Sequence, residues 1–297
     1  MLRLMARVSV MVSVATIVLI VATLVAGQHI AHTRSLAFAS ARDGDMDIYL
    51  LDINRNLLVH LTDAPGNDEQ PTWSPDGRQL AFTSNREGGN DIYILNLADG
   101  AVHNLTQYPG FDTQPAWSTH GERIAFTSTR SGNEEIYITS LITGETFNLT
   151  NHNNDDWSPA WSPDDVHIAF ISDRNGGASD IYVADINNGD IQLLIHDTSA
   201  NGVPVWSPDG NRLAYMSMRD GNPEIYVLHL ASGTATRMTD YPSLDTAPAW
   251  SPDGRYLAYT SERAGNFDIF VMDVERGTVR NVTNHPLVDM SPAWWPG

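Results

Sequence analysis

The chain has 297 residues, a hydrophobic content of 42% and a formal net charge of −19 at pH 7. This length allows one large domain or two small ones, and the hydrophobic content is sufficient for a packed core. The charge argues against a nucleic-acid-binding protein, because a phosphate backbone requires clustered Lys and Arg. The absence of cysteine excludes disulfides, thiolate metal sites and a cysteine nucleophile.

Residues 1–34 differ in character from the rest of the chain. Arg3 and Arg7 precede an uncharged apolar stretch, residues 8–26, which is close to the ~20 residues that a membrane-spanning helix needs. The stretch is longer than the apolar region of a usual signal peptide, and no clear A-x-A cleavage site follows it. The sequence therefore favours a retained signal anchor, with a cleaved signal peptide as the alternative. Either would export residues 35–297, because the arginines stay on the cytoplasmic side.

Two aromatic columns recur through residues 35–297 with intervals of 44, 44, 45, 44 and 44. The first column is Trp73, Trp117, Trp161, Trp206, Trp250 and Trp294, and the second is Tyr49, Tyr93, Tyr137, Tyr182, Tyr226 and Phe270. Each unit predicts four short strands: P-x-W, then [LI]-A-[FY]-x-S, then [DE]-I-[YF], and a last strand ending N-L-T or a variant of it. Turns such as Ser74 to Gly77 separate them. Four strands in about 44 residues is the size of a propeller blade.

The repeat begins within a unit and also stops within one. The first predicted strand, at Leu36, is the second strand of a unit, and the chain stops just after a first strand at residues 291–295. Residues 36–62 and this last strand together complete one blade. The sequence thus predicts an all-β, closed six-bladed propeller of four-stranded antiparallel blades over residues 35–297, because closure removes the unpaired edges of an open array.

These units resemble the TolB-like propeller repeat, a WD-like β-propeller family. The resemblance covers residues 36–297 and rests on P-x-W-S-P-D-G, [LI]-A-[FY]-x-S-x-R-x-G and N-L-T. It implies a non-enzymatic binding protein of the cell envelope. The α/β domain that precedes the propeller in TolB proper has no counterpart here, which puts contacts made through that domain in doubt. No G-x-S-x-G motif supports the hydrolase activity of related oligopeptidases.

A column of arginines recurs once per unit, in the loop before the third strand. Its members are Arg42, Arg86, Arg130, Arg174, Arg219 and Arg263. An acid opens each third strand: Asp47, Asp91, Glu135, Asp180, Glu224 and Asp268. We expect a structural ion pair between each arginine and the acid that follows it. A ligand-binding ring of arginines is the alternative.

A second column of polar residues precedes each repeat tryptophan by five positions. Its members are Asp68, Asp112, Asp156, Asn201, Asp245 and Asp289. A closed ring would bring five carboxylates around one mouth of the channel, where their repulsion needs a bound cation, a basic partner or the nearby arginines. Oxygen ligands at one level would suit Ca²⁺. The alternative is a turn motif, in which Asp bonds nearby backbone N–H groups, and Asn201 favours it.

Non-repeating apolar residues in the loops before the inner strands are candidates for specificity. They are Phe111, Trp157, Leu244 and Met290. Exposed aromatic residues on an acidic rim would suit a protein or peptide partner, whereas the simpler interpretation is packing within the loops.

No catalytic constellation is found in the sequence, and the histidines match no H-E-x-x-H metal site. We therefore expect a monomeric, extracytoplasmic binding protein, in the periplasm or at the cell surface, that recognises an envelope protein or peptide and no nucleic acid. The alternative is an enzyme, a lyase or a metal-dependent hydrolase, that uses the central funnel. A purely structural part of an envelope complex is a third hypothesis.

Overall fold

A computed structural model describes residues 34–297, and these form six four-stranded antiparallel sheets. The predicted all-β, six-bladed propeller is therefore confirmed. The predicted hydrophobic helix of residues 8–26 lies outside the described residues. Within residues 34–297, no helix is long and apolar enough to cross a membrane.

Each blade has an inner, a second, a third and an outer strand. The inner strands are β4 (Asp68–Trp73), β8 (Asp112–Trp117), β12 (Asp156–Trp161), β16 (Asn201–Trp206), β20 (Asp245–Trp250) and β24 (Asp289–Trp294). The second strands are β1 (Ser35–Ser40), β5 (Gln79–Ser84), β9 (Arg123–Ser128), β13 (His167–Ser172), β17 (Arg212–Ser217) and β21 (Tyr256–Ser261). The third strands are β2 (Asp47–Asp52), β6 (Asp91–Asn96), β10 (Glu135–Ser140), β14 (Asp180–Asp185), β18 (Glu224–His229) and β22 (Asp268–Asp273). The outer strands are β3 (Leu57–His60), β7 (Val102–Asn104), β11 (Thr146–Asn148), β15 (Ile191–Ile195), β19 (Thr234–Arg237) and β23 (Val279–Asn281).

One blade joins the two ends of the described chain. Its strand order is β24-β1-β2-β3, so the last strand supplies the inner position and the first three strands supply the others. We call it the closing blade. Leu36 of β1 lies opposite Trp294 of β24. The inner strands also contact one another in a ring from β4 through β24 and back to β4, which closes the propeller.

The core lies between neighbouring blades and is built by the two aromatic columns. In the second blade, Phe82 of β5 faces Tyr93 of β6 with ring centroids 6.0 Å apart, and both are buried. Trp73 packs in the same cluster as Leu50 of the preceding blade, and its indole N–H donates to the carbonyl of Ala293 at 3.1 Å. The repeat tryptophan therefore connects one blade to the next.

Every inner strand has an irregularity at its third residue, which precedes the repeat proline. Gln114, for example, has a φ of 55°, and the pairing of β8 with β9 shifts register there. Proline disfavours the right-handed helical region for the residue before it, and a bulge bends the strand. The backbone N–H of Gln114 donates to Oε1 of Gln70 in the preceding blade at 3.0 Å, so the bend also joins neighbouring blades.

Candidate functional site

Two sets of loops share one face of the propeller because successive strands are antiparallel. These loops enter the inner strands or join the second strand to the third. We call this side the loop face. It comprises residues 41–46, 61–67, 85–90, 105–111, 129–134, 149–155, 173–179, 196–200, 218–223, 238–244, 262–267 and 282–288.

The arginines of the loop face are part of a repeated buried ion pair. Arg86 contacts both carboxylate oxygens of Asp68, at 2.9 and 2.8 Å, and its Nε donates to Oγ of Ser84 at 2.9 Å. The guanidinium also lies 4.7 Å from the ring centroid of Tyr93. The same pair forms in five blades: Arg42–Asp289, Arg86–Asp68, Arg130–Asp112, Arg174–Asp156 and Arg263–Asp245.

The predicted partners of these arginines were wrong. Each arginine side chain lies over the two aromatic rings of its blade and extends towards the inner strand. The acid that opens the third strand faces the outer strand instead. Asp91 accepts from Nδ2 of Asn104 at 2.9 Å and from the Thr106 hydroxyl at 3.2 Å. The acids of this column, Asp47, Asp91, Glu135, Asp180, Glu224 and Asp268, contact the outer strand or the residues that follow it. The arginine column is a structural ion-pair column with other partners.

The predicted acidic rim is not an open ring of carboxylates. The column Asp68, Asp112, Asp156, Asn201, Asp245 and Asp289 occupies the first position of each inner strand, and every member is at most 1% exposed. Burial raises the pKa of Asp245 despite opposing contributions from Ser261 and Arg263. Arginine offsets the charge of all five aspartates. One oxygen each of Asp112, Asp156 and Asp245 has no hydrogen-bond partner among the described residues, and calcium at this ring stays a prediction.

The exception in the column is Asn201. In its blade the first residue of the inner strand has no carboxylate to pair with the arginine. Arg219 instead binds Asp197, with Nη2 2.9 Å from Oδ2, and also donates to the Tyr215 hydroxyl at 2.8 Å. Asp197 lies in the loop before β16 and is 22% exposed. In this blade the carboxylate of the ion pair therefore comes from a residue four positions earlier in the chain than in the other blades. The sequence pattern did not reveal this.

The four predicted apolar loop residues do not form one exposed group. Phe111 is 58% exposed on the loop before β8. Leu244 is half-buried in the loop before β20, whereas Trp157 and Met290 are half-buried second residues of inner strands rather than loop residues. Met290 packs against the cluster that contains Trp73. Phe111 is therefore the member that presents apolar surface.

Sequence reasoning missed other exposed apolar residues on the loop face. Tyr108 is 48% exposed, Tyr241 is 46% exposed and Leu287 is 46% exposed, each in a loop that enters an inner strand. The column arginines support the two tyrosines, since Arg130 lies 4.6 Å from the Tyr108 ring and Arg263 lies 5.1 Å from the Tyr241 ring. The sequence could have indicated the two tyrosines, because each precedes a proline at the same position of the repeat.

Exposed acids lie on the same face as these apolar side chains, while the column arginines of this face are held in the ion pairs described above. The exposed acids of the loop face are Asp43, Asp45, Asp63, Glu87, Asp220, Asp240 and Glu262. Arg237 contacts two of them, Asp220 and Asp240. The loop face is therefore acidic with isolated apolar residues.

The inner strands add one acid that the sequence analysis did not single out. Glu69 is the second residue of β4, where the other blades have Thr113, Trp157, Gly202, Thr246 and Met290. Burial raises its pKa, and it forms no ion pair with another described residue. Among residues 34–297, the group whose side chains could share a metal ion is Asp47, His60 and Asp63, in the closing blade and the loop after it.

A family model for the TolB β-propeller domain matches residues 16–108, 91–202 and 158–297. The chain belongs to the TolB β-propeller family. Comparison with curated proteins gives no match.

Solved structures of TolB-family and other propellers share this fold. The crystal structure of TolB from Acinetobacter baumannii has a TM-score of 0.82 and 24% identity over 93% of this chain and 70% of that one. A TolB from Agrobacterium tumefaciens, described as putative, has a TM-score of 0.70 and 24% identity over 85% and 89%. An oligogalacturonate lyase in complex with manganese has a TM-score of 0.62 and 21% identity over 86% and 75%. At these identities the likeness concerns the fold alone.

Proposed function

We propose that this TolB-family propeller is a non-enzymatic, extracytoplasmic binding module that recognises a protein or peptide on its loop face. The observation that carries the proposal is the exposure of Tyr108, Phe111, Tyr241 and Leu287 within an acidic surface. Aromatic residues rimmed by polar groups are typical of protein-recognition surfaces, where they supply most of the binding energy.

The charge of the loop face favours a basic partner segment. Acids such as Asp45, Asp63 and Glu87 are exposed there, and the arginines of the ion-pair column are held by Asp68 and its equivalents. Complementary charge would speed association and exclude acidic competitors. The formal net charge of −19 acts in the same direction over a longer range.

The location rests on residues 8–26 and on the family. An apolar stretch of this length behind Arg3 and Arg7 would place the propeller on the far side of the cytoplasmic membrane, either anchored or released by cleavage. The partner would then be a protein or peptide of the cell envelope. The propeller itself would act as a monomer, since its ring is closed within one chain.

The test compares two matched phenylalanines. Phe111 on the loop face and Phe147 on outer strand β11 are 58% and 48% exposed. The full-length chain, its Phe111→Ser and Tyr241→Ser variants and the Phe147→Ser control are used to capture partners from envelope extract. Captured proteins are identified by mass spectrometry, and the affinity of the purified partner is then measured by calorimetry.

We expect the loop-face variants to bind the partner at least about tenfold more weakly, because loss of a central aromatic residue at an interface costs about 2 kcal/mol or more. The Phe147→Ser control should bind as the unchanged chain does. Equal binding by the unchanged chain and both loop-face variants would contradict the proposal.

The enzyme hypothesis is the second candidate, favoured by one residue. Glu69 is an acid without a counterpart in the other inner strands, and burial raises its pKa, as in many general acids. The manganese-bound oligogalacturonate lyase among the structural neighbours suggests an acidic oligosaccharide as the substrate to assay. Cleavage of the acidic oligosaccharide that requires manganese and is lost in Glu69→Gln would favour catalysis over binding.

A further inference from the structure

The closing blade contains a group of three ligand-type side chains on adjacent elements. Asp47 is the first residue of β2, His60 is the last residue of β3, and Asp63 follows in the loop to β4. One ligand atom from each lies within 4.8 Å of the other two. The Tyr49 ring stacks on the imidazole of His60, with centroids 4.4 Å apart and planes 3° apart, which fixes the orientation of the imidazole.

The closing blade departs here from the pattern of its sister blades. In two of them the buried acid that opens the third strand accepts a hydrogen bond from asparagine: Asp91 from Asn104 at 2.9 Å, and Asp268 from Asn281 at 2.7 Å. His60 occupies the position of these asparagines, since it pairs with Tyr49 as Asn104 pairs with Tyr93. In the closing blade, the imidazole of His60 thus takes the place of the asparagine amide that donates to the acid in these two sister blades.

The group also contains a buried carboxylate oxygen that has no hydrogen bond, whereas a threonine hydroxyl donates to the equivalent oxygen of Asp91. Asp47 is 2% exposed, and its Oδ1 has no hydrogen-bond partner. Nε2 of His60 lies 3.1 Å from Oδ2 of Asp47, the other oxygen of the same carboxylate. A buried carboxylate oxygen without a donor is costly, and a bound cation at this oxygen would offset the cost.

The surroundings of this group are strongly negative. Burial raises the pKa of Asp47 even though His60 opposes it, and the nearby Asp45 and Asp68 raise it further. For His60, burial acts to lower the pKa, but Asp47, Asp63 and Asp43 outweigh it and the pKa is raised. These neighbouring carboxylates place negative charge around the group, which a bound cation would offset.

We propose that Asp47, His60 and Asp63 form a binding site for a divalent transition metal ion, with Zn²⁺ as the reference ion. Imidazole and carboxylate ligands suit zinc, whereas calcium and magnesium select oxygen ligands alone. Asp63 is exposed, so an ion bound here would be accessible to water. The ion would tie β2 and β3 to the loop that enters β4, and so strengthen the junction between the closing blade and its neighbour.

The test measures zinc binding to the full-length chain after treatment with chelator, by calorimetry and by thermal unfolding. We expect one high-affinity ion per chain and a higher unfolding midpoint with zinc. His60→Asn installs the residue found at positions 104, 148 and 281, so it should preserve the fold. It should weaken zinc binding at least about tenfold, since even outer-shell changes have effects of this size. Asp63→Asn, which copies positions 151 and 284, should do the same.

The matched control is His196→Asn. His196 also contacts a buried acid, with Nδ1 3.0 Å from Asp180, and it belongs to no ligand cluster among the described residues. This variant should bind zinc as the unchanged chain does. The proposal is overturned if the unchanged chain binds no zinc, if His60→Asn retains full affinity, or if His196→Asn loses as much. Calcium binding as tight as that of zinc, and insensitive to His60→Asn, would also overturn it.

Discussion

Arg219 binds Asp197, and this pair substitutes for the inner-strand ion pair that the other five blades form. Its carboxylate comes from the preceding loop, four residues before Asn201. The substitution shows that the arginine, rather than the aspartate, is the constant member of the pair. The Arg219 guanidinium lies over Tyr215 and Tyr226, as the other column arginines lie over the aromatic pairs of their own blades, while the position of the carboxylate differs.

Removal of a column arginine should be far more damaging where its partner is buried. Arg130→Met leaves Asp112, which is 1% exposed, without its counter-charge. We expect a loss of about 3–5 kcal/mol in the free energy of unfolding, as for other broken buried pairs. Arg219→Met should lose less, about 1–2 kcal/mol, because Asp197 is 22% exposed and only the buried Tyr215 hydroxyl loses a donor. Urea unfolding followed by tryptophan fluorescence measures both.

The double variant Arg130→Met, Asp112→Asn separates lost charge from lost packing. Asparagine occurs naturally at this position of the repeat, as Asn201. The double variant should recover part of the free energy of unfolding that Arg130→Met loses. If it is less stable than Arg130→Met, the buried unpaired charge is not the cause.

The turn at Gly77 should tolerate no side chain, because the end of the chain packs on it. Gly77 has a φ of 66°, its carbonyl accepts the Trp295 indole N–H at 3.1 Å, and a Cβ there would overlap the Trp295 ring. Gly144 has a φ of 75° with open space around it. Gly144→Ala should cost about 1–2 kcal/mol for the left-handed backbone alone. Gly77→Ala should cost more, as measured by thermal unfolding.

The Trp295→Ala background tests the cause of that difference. Without the indole, the extra cost of Gly77→Ala over Gly144→Ala should disappear, since the overlap is gone. If the extra cost persists in this background, contact with the C-terminal segment does not explain it.

The fold could be predicted from the sequence because its determinants repeat. Six tryptophans at intervals of 44 or 45 residues define the blades, and a second aromatic column repeats the same intervals. The partner of each arginine could not be predicted, since Asp68 and Asp91 are both within reach of Arg86 along the chain. The direction of the side chain over the Phe82–Tyr93 pair decides between them, and this is a property of packing.

The binding residues were predicted only in part for a related reason. Phe111 and Met290 look alike in the sequence, as apolar residues beside an inner strand. The structure exposes Phe111 and packs Met290 against the neighbouring blade. Local sequence gives the position in the blade, whereas exposure depends on what the next blade presents.

Glu69 should make the protein less stable as the pH rises. Burial raises its pKa above 4.5, so the folded chain binds this proton more tightly than the unfolded chain. The free energy of unfolding therefore decreases as the pH rises from the unfolded pKa through the folded pKa. Glu69→Gln should remove this decrease and stabilise the protein at pH 7. Urea unfolding between pH 4 and pH 7 measures it, with the exposed Glu122→Gln as the control. Parallel curves for both variants and the unchanged chain would refute the expectation.

Asp209 should have the opposite effect at acid pH. Its Oδ1 accepts from the Ser207 hydroxyl at 2.5 Å and from the backbone N–H of Asn211 at 3.1 Å. The Ser207 bond is the main cause that lowers its pKa below 3.8. The stabilisation is therefore complete above pH 3.8 and is lost as the pH falls through the folded pKa. Asp209→Asn should be less stable than the unchanged chain at pH 7, and the two should converge at low pH.

The control for this prediction is Asp190→Asn, because Asp190 is exposed on a turn and its carboxylate accepts no hydrogen bond from the described residues. This variant should follow the unchanged chain at every pH. A constant difference between Asp209→Asn and the unchanged chain from pH 7 to pH 2 would show that the turn depends on the shape of the side chain and not on its charge. The same reasoning extends to Asp76, whose pKa is lowered mainly by Ser74, and to Asp253, where burial acts to raise the pKa but Ser251 and the other donors outweigh it. Since the turn recurs around the ring, we expect these small contributions to add up to a larger loss of stability at acid pH.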